Sequence, residues 1–457
     1  MRSKIFVVFA LCMSVLVVPS FGQKKAAKLN PEITKMVTEV SAKNIEATIR
    51  KLVSFGTRNT LSAQDNPTRG IGAARDWLYG EFQKISKDCG GCLDVQKQTF
   101  TQAANPPPRG RFPEATVLTN VFAVLKGTTD PDRVYVISGH YDSMCNSPTD
   151  AKCDAPGAND DASGTAVSLE LARVMSKRKF DATIIFMTVP GEEQGLTGAT
   201  YFAKDAAEKK MNIDAMFTND IVGGATTRKN LPNRDKVRVF SEGIPLNETE
   251  AEARIRKNTG GETDGISRQL ARYIKEQADN YLKGFKFGAW MIYRRDRYGR
   301  GGDHSPFLER GYAAVRFTES EEDFTHQHQT PRTENGIIYG DNPEYVDFAY
   351  VANVCRVNLT ALAGLASAPA RPKGVVFASN RQSADSELKW EAVKDPNLAG
   401  YEVVWRDTTD ATWTSSEFAG NVTAYTVKAK SKDNYFFGVR SVDKAGNKSM
   451  VSYTGGR

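Results

Sequence analysis

The sequence predicts an α/β protein: a largely parallel mixed sheet with helices on both faces, followed by a C-terminal all-β sandwich. Three observations carry this expectation. Apolar runs such as "RVYVISGHYD" and "ATIIFMTVP" alternate with segments whose apolar residues recur at three- and four-residue spacing, the pattern of buried strands between helices. At 457 residues the chain exceeds what one core usually organises. After "GLASAPARPKG" the rhythm changes to short alternating strands rich in Trp, Tyr and Val.

Taken in order, the start "MRSKIFVVFALCMSVLVVPSFGQ" sets Arg2 and Lys4 before an apolar run from Ile5 to Val18, with small Ser20 and Gly22 ahead of Gln23. Residues 1–22 therefore read as a secretory signal peptide, and the mature chain is expected to be secreted or periplasmic. The run is shorter than the roughly 20 residues of a spanning helix, so no membrane span is expected. From about Pro31 to Gly90 the pattern is helical. Strands then follow at "NVFAVLKG" and "RVYVISGHYD", a helix at Ser163 to Lys177, a strand at "ATIIFMTVP", a helix at Gly195 to Lys209 and a strand at "IDAMFTNDIVG". "KVRVFSEG", a helix from about Gly265 to Leu282, "KFGAWMIYRR", "AAVRFTES" and a closing helix from Pro343 to Ala366 complete a domain spanning 31–366. Residues 367–373, rich in small residues and proline, read as a flexible linker, and 374–457 as the sandwich.

The formal charge of +7, from 61 basic and 54 acidic residues, falls to +5 once Arg2 and Lys4 leave with the leader. That balance is too diffuse to indicate nucleic acid. Export permits disulfides, and with Cys12 gone five cysteines remain, an odd number that leaves one thiol free. Cys145 and Cys153 bracket one loop and suggest a local staple; Cys89 and Cys92 form a C-G-G-C that offers another. A redox role for that pair is weak, because no thioredoxin-like strand and helix surround it.

Chemistry concentrates at the strand exits, where open α/β sheets gather their ligands. "GHYDS" offers His140 and Asp142, "PGANDDASG" Asp160 and Asp161, "PGEEQGLTGA" Glu192 and Glu193, "FTNDIVGG" Asp220, and "FTHQHQTP" His326 and His328. A single H-x-D or E-E pair is more often a solvated turn than a site. Repeated at successive strand ends, the set becomes the inventory of a two-zinc centre with one carboxylate left over as a base. This mix of nitrogen and oxygen donors suits zinc better than calcium or magnesium. Asp142 shares a strand face with His140 and is placed to accept the imidazole's other proton.

The four acid-bearing motifs among these, with "GGDHSPF" as a fifth, resemble the co-catalytic dizinc exopeptidases of metallopeptidase family twenty-eight, across roughly Pro31 to Ala366. The resemblance implies a zinc exopeptidase fold and the hydrolysis of peptide or protein substrates by a water shared between two zinc ions. It implies His140 and Asp220 on one ion, Asp160 as the bridging carboxylate, Glu193 on the other ion, and Glu192 as the general base. This chain reads "THQHQTPRTE" where the simplest family pattern is H-T-P-x-D, so the last ligand is assigned to His328 with His326 as fallback. Asp303 and His304 match a pair that sits beside the site without binding metal; a helix-cap or core role for His304 weighs equally. Tyr298 or Tyr293 is the candidate donor to the oxyanion, while the arginines of "MIYRRDRYGRGG" read as a solvated loop.

The last module resembles a fibronectin type III domain and carries none of these ligands, so it is expected to be dispensable for chemistry and to serve surface or matrix contact. An aminopeptidase is favoured over a carboxypeptidase-type relative, because 100–134 is too short for a protease-associated insertion. Two rivals remain: a glutaminyl cyclase of the same fold using one zinc, and a metal-free binding platform, against which the retained ligand set argues.

Overall fold

The structure is a computed structural model that describes residues 29–379 and 381–455. The signal peptide expected at 1–22 lies outside the described residues. Three helices open the fold, α1 (Pro31–Glu39), α2 (Ala42–Val53) and α3 (Ile71–Asp88). Strands β1 (Leu93–Gln102), β2 (Thr116–Leu125) and β3 (Asp130–His140) lead to α4 (Ala162–Met175), then β4 (Ala182–Val189), α5 (Thr197–Glu208) and β5 (Asn212–Asn219). The second half contributes β6 (Lys236–Phe240), α6 (Glu250–Thr259), α7 (Ile266–Tyr281), β7 (Gly288–Ile292), α8 (Ser305–Leu308) and β8 (Ala314–Glu319). A short hairpin of β9 (Arg332–Glu334) and β10 (Ile337–Tyr339) precedes α9 (Phe348–Ser367).

Strands β1 to β8 form one mixed sheet in the order β1-β2-β4-β3-β5-β8-β6-β7. Pairings β3–β4, β3–β5, β5–β8 and β6–β7 are parallel; β1–β2, β2–β4 and β6–β8 are antiparallel. The parallel centre matches the continuous apolar runs: every residue of β4 is buried. Strand β1 adds to the expected set, because its sequence LDVQKQTFTQ is mostly polar; it pairs along the whole of β2 as an edge. Helix α6 also lacks an apolar stripe to announce it and has no buried residue, yet its start carries a capping box of Thr249 and Glu252. Helix α9 is long and apolar enough to cross a membrane, but 78% of its most apolar window is buried inside the fold. It packs against α2, α4 and α7.

Because β4, β3 and β5 are neighbours, their carboxyl ends stand side by side, which brings His140, Glu192 and Asp220 to one edge of the sheet. Disulfides join Cys89 to Cys92 and Cys145 to Cys153, and Cys355 is a buried free thiol.

The C-terminal module is a sandwich of two sheets. One contains β11 (Val376–Phe377), β12 (Ser386–Lys389) and β15 (Ala424–Val427); the other contains β13 (Leu398–Asp407), β14 (Ser415–Gly420), β16 (Tyr435–Asp443) and β17 (Ser452–Tyr453). Leu388, Trp390, Tyr401, Val403, Phe437 and Val439 fill its core.

The linker is not the flexible spacer its composition suggests. Arg133 donates to Ala368 O at 2.7 Å, Ser441 Oγ to Ala370 O at 2.8 Å and Ser452 Oγ to Pro372 O at 2.6 Å, so the segment is tied from both sides. Beyond it the two domains share an ion cluster: buried Asp264 meets Arg272 at 2.8 Å and Arg406 at 2.7 Å, and Arg440 reaches Glu276 at 2.7 Å. Trp413 Nε1 donates to Gln269, and the Tyr293 hydroxyl donates to Ala411 O at 3.2 Å. The sandwich is a fixed flank of the larger domain. Asp264→Asn strips the counter-charge from two buried guanidinium groups, an expected loss of roughly 3–5 kcal/mol. Thermal unfolding should begin earlier, and limited proteolysis should release the sandwich; an unchanged unfolding profile would show that the cluster is not what holds the domains together.

Candidate metal centre

His140 ends β3 fully buried, and its backbone N–H donates to Asp161 Oδ2 at 2.9 Å. The other Asp161 oxygen accepts from Gly164 N–H at 2.8 Å in the first turn of α4. Of the two adjacent aspartates, one is thus a helix cap and the other, Asp160, turns into the site. Glycine at 139 and 164 permits the close approach: a Cβ on Gly139 would stand 2.3 Å from the Gly164 carbonyl carbon. Gly191, at φ 76°, supplies the bend that presents the glutamate pair.

Two groups of donor atoms form. His140, Glu192 and Asp220 make one; Asp160, Glu193 and His328 make the other, and within each the donor atoms lie within 4.8 Å of one another. Asp160 belongs to both neighbourhoods. Its Oδ1 is 3.1 Å from His140 Nε2, and its Oδ2 is 2.8 Å from His328 Nε2. Glu193 Oε2 is 3.2 Å from His328 Nε2, and Asp220 Oδ1 is 3.8 Å from His140 Nε2.

The residues fit divalent cations on chemical grounds. His140 Nε2 and Glu193 Oε1 are buried without a hydrogen-bond partner, and four carboxylates converge where burial alone disfavours their charge. Burial, reinforced by Asp220, pushes the Glu192 carboxyl well above the usual range, and burial with Asp160 also raises Glu193. Asp220 differs. Burial would raise it, but the Arg316 guanidinium at 2.8 Å and His140 outweigh burial and hold it low.

A supporting shell fixes these side chains. Asp142 stands 3.3 Å from His140 Nδ1 and accepts the backbone N–H of Glu192 at 3.3 Å and of Glu193 at 3.2 Å. It therefore positions the imidazole and the glutamate loop together rather than meeting substrate. Thr60 donates to Asp142 and accepts from Gly191 N–H. Buried Asp341 accepts the N–H of Asp160 at 2.7 Å, and buried Arg58 donates to the carbonyls of Tyr141, Pro156 and Gly157. Sequence reasoning misses Thr60, Asp341, Arg58 and Arg316, whose neighbourhoods carry no motif and which meet the site only through tertiary contacts.

Other expectations need correction. His326 is not a ligand: its Nδ1 pairs with Gly340 O at 3.1 Å and its ring stacks on Tyr345 at 3.5 Å. His328, at φ 53°, occupies the left-handed region, and this turn aims its imidazole at Asp160. Tyr298 is 88% exposed and stacks with Arg294, and it is not among the residues that line the cavity where an oxyanion donor is expected. The Tyr293 hydroxyl is used on Ala411. His304 caps α8 from a fully buried position, its Nε2 paired with Arg295 O at 2.9 Å, the core role rather than a substrate role. Its neighbour Asp303 is buried with neither oxygen hydrogen-bonded, and burial pushes its carboxyl up to about 7. Conversely, Arg297 and Arg300, in the loop expected to be merely solvated, line the cavity over the site together with Arg111.

Without metal the imidazoles hold protons. Burial by itself would lower the His328 pKa, but Glu193 and Asp160 outweigh it and hold it at about 11; His140 is raised well above its usual value against the same burial by Asp142, Asp160 and Asp220. A metal must displace these protons, so its affinity weakens as pH falls. Loading zinc into metal-free protein near pH 7 is expected to release about two protons per chain. Calorimetry in buffers of different ionisation enthalpy measures this, and a buffer-independent heat would contradict it.

The sheet order, the helices on both faces and two donor groups joined by one carboxylate at the strand exits define the class: an α/β protein with candidate metal-ligand groups gathered at the carboxyl edge of its sheet. Residues 120–335 match the model of peptidase family M28. The chain is 46% identical over 422 residues to a probable zinc metalloprotease of Leptosphaeria maculans, covering 92% of this chain and 96% of that one. A probable zinc metalloprotease of Pyrenophora tritici-repentis is also 46% identical, over 424 residues, covering 92% and 86%. The chain belongs to peptidase family M28. Among solved structures, the LapA aminopeptidase of Legionella pneumophila superimposes with a TM-score of 0.51 at 18% identity, covering 80% of this chain and 77% of that one. The Fimbriiglobus ruber glutaminyl cyclase does so with 0.50 at 17% identity, covering 71% and 95%. At such identities these likenesses establish the fold alone.

Proposed function

We propose that the protein is a secreted zinc exopeptidase, acting as an aminopeptidase that releases N-terminal residues from peptides or proteins. The observation that carries this reading is the placement of Asp160, one oxygen toward His140 and the other toward His328 and Glu193. His140, Asp220 and Asp160 would hold one ion, and Glu193, His328 and the same Asp160 the second. When bound, the two ions supply Lewis-acid activation of water and of the scissile carbonyl.

The chain's own residues then have separable roles. Glu192 is left over from the ligand set, and its raised pKa suits a group that takes a proton from the attacking water and gives it to the leaving nitrogen. Asp142 holds His140 in one ring orientation. Arg316 keeps Asp220 ionised and fixed. The names of the M28 relatives support zinc and proteolysis, and the basic and apolar start of the sequence supports export. The sandwich, fixed beside the catalytic domain, is left with its outer faces for surface or matrix contact.

The second reading, a glutaminyl cyclase using one zinc, is favoured by a single feature: His140, Glu192 and Asp220 already form a three-donor site by themselves. Purified protein assayed on aminoacyl substrates, C-terminally free peptides and peptides beginning with glutamine separates the readings. Amino acid release is expected; cyclisation of glutamine without release would overturn the aminopeptidase.

A further inference from the structure

The cavity over the metal centre encloses about 360 Å³. Its carboxylates are Asp160, Glu192, Glu193 and Asp220, all members of the two donor groups. Its cations are Arg111, Arg297 and Arg300. A wall of guanidinium groups facing carboxylates has an ordinary explanation, charge balance, but the partners of these arginines argue against it.

Among the described residues, none of the three makes an ion pair with a donor-group carboxylate. Arg111 donates from Nη1 to the backbone carbonyl of Glu193, which fixes it beside a ligand while neutralising nothing. Arg297 pairs with Asp296 at 3.2 Å and Glu322 at 3.2 Å. Glu322 is shared further, with Arg238 at 2.7 Å and Arg300 at 3.9 Å, and Asp296 also faces Arg316 at 3.6 Å. Three guanidinium groups thus lean on the one carboxylate of Glu322. Four donor-group carboxylates are offset by two divalent ions, so once the centre is filled Arg297 keeps its two acidic partners, Arg300 has the shared Glu322 at 3.9 Å, and Arg111 has, among the described residues, no carboxylate partner.

We infer that Arg111, Arg297 and Arg300 form a carboxylate-binding subsite, so that the substrate carries a carboxylate next to the scissile bond. The inference rests on the exopeptidase reading for its reaction, though not for the binding itself. Guanidinium suits such recognition, since it stays charged, offers paired donors and matches the carboxylate fork. Arg297 is pre-positioned by its two acidic partners, whereas Arg300, with 37% of its side chain exposed, has donors free to reach a ligand. Two sources of that carboxylate are compatible with the wall: an acidic side chain on the terminal residue, or a free C-terminus one residue beyond the cut.

The test uses zinc-loaded full-length protein and two measurements. In the first, kcat/KM is compared for N-terminal Glu or Asp against Leu or Ala on one peptide, and for a free against an amidated C-terminus. At least a tenfold preference for the carboxylate-bearing member of one pair is expected, and which pair shows it identifies the source. Arg300→Met, at a surface side chain that the fold tolerates, should reduce that preference at least tenfold, chiefly through KM, with Arg300→Lys recovering part of it. In the second, calorimetry measures binding of free glutamate and of alanine to the wild type, Arg300→Met and Arg111→Met. If the first peptide pair shows the preference, glutamate is expected to bind the wild type at least tenfold tighter than alanine; if the second does, both amino acids are expected to bind it, and in either case both substitutions should weaken glutamate binding at least tenfold. No preference within either peptide pair, or glutamate affinity untouched by both substitutions, would overturn the subsite. Arginine-dependent glutamate binding with no peptide cleaved would uphold the subsite and instead remove the peptidase reading.

Discussion

Replacing Glu192 with Gln is expected to reduce kcat by roughly 10² to 10⁴ while zinc content stays that of the wild type. The substitution keeps the shape of the side chain and removes its capacity to accept a proton. Glu192 is the donor-group carboxylate for which the geometry leaves the metal role dispensable, because His140 Nε2 already has Asp160 at 3.1 Å and Asp220 at 3.8 Å. Its pKa points the same way. Burial and the charge of Asp220 both disfavour the ionised form, which makes it a stronger base than a solvated glutamate and brings proton transfer nearer to balance at neutral pH. The adjacent Glu193→Gln should behave differently, lowering metal content, since its carboxylate touches His328 at 3.2 Å and one of its oxygens is buried without a hydrogen bond. Elemental analysis beside steady-state kinetics separates the two effects. Wild-type turnover in Glu192→Gln, or loss of metal from that variant, would reassign Glu192 from base to ligand.

How much of this site is legible in the sequence depends on how each residue reaches it. His140, Asp160, Glu192, Glu193 and Asp220 are legible because each lies close to a strand end or sits just before a helix, so local pattern alone puts them at the sheet's carboxyl edge. His328 is separable from His326 only by three-dimensional geometry, since the two alternate in one short loop and only a left-handed turn decides which imidazole faces Asp160. Arg316, Asp341 and Arg58 act at long range, from strand β8 and from loops distant in the chain. Nothing in their immediate neighbours marks them. The arginines of "RRDRYGRGG" mislead for the opposite reason: a run of charge in a loop is usually solvated, and only the cavity wall distinguishes Arg297 from Arg294. Composition likewise misjudges the linker, because small residues and prolines that suggest flexibility are also those that pack closely under Arg133, Ser441 and Ser452.

Protein purified without chelator is expected to hold two zinc ions per chain, and Asp160→Ala to hold one or none, with turnover reduced by more than about 10³. Removing a terminal ligand weakens one site, but Asp160 is the residue whose two oxygens face different imidazoles, so its loss reaches both. The remaining charges make partial occupancy unfavourable. With an ion only on the side of His140 and Asp220, Glu193 stays buried beside Asp160, and burial and that like charge together already raise its pKa. A second cation relieves this repulsion, so filling the first site should assist rather than oppose filling the second. Metal-free protein titrated with zinc should therefore regain activity in proportion to the zinc added and level off at two equivalents rather than one, and thermal stability should rise across both equivalents. A His328→Ala variant supplies the contrast: it leaves the His140, Asp160 and Asp220 donors intact, retains one ion and loses the activity of the pair. If the wild type instead binds a single tight zinc, is fully active with it and converts N-terminal glutamine to its cyclic form, the centre works as a one-ion cyclase, and Asp160 serves His328 only as a buried ion-pair partner.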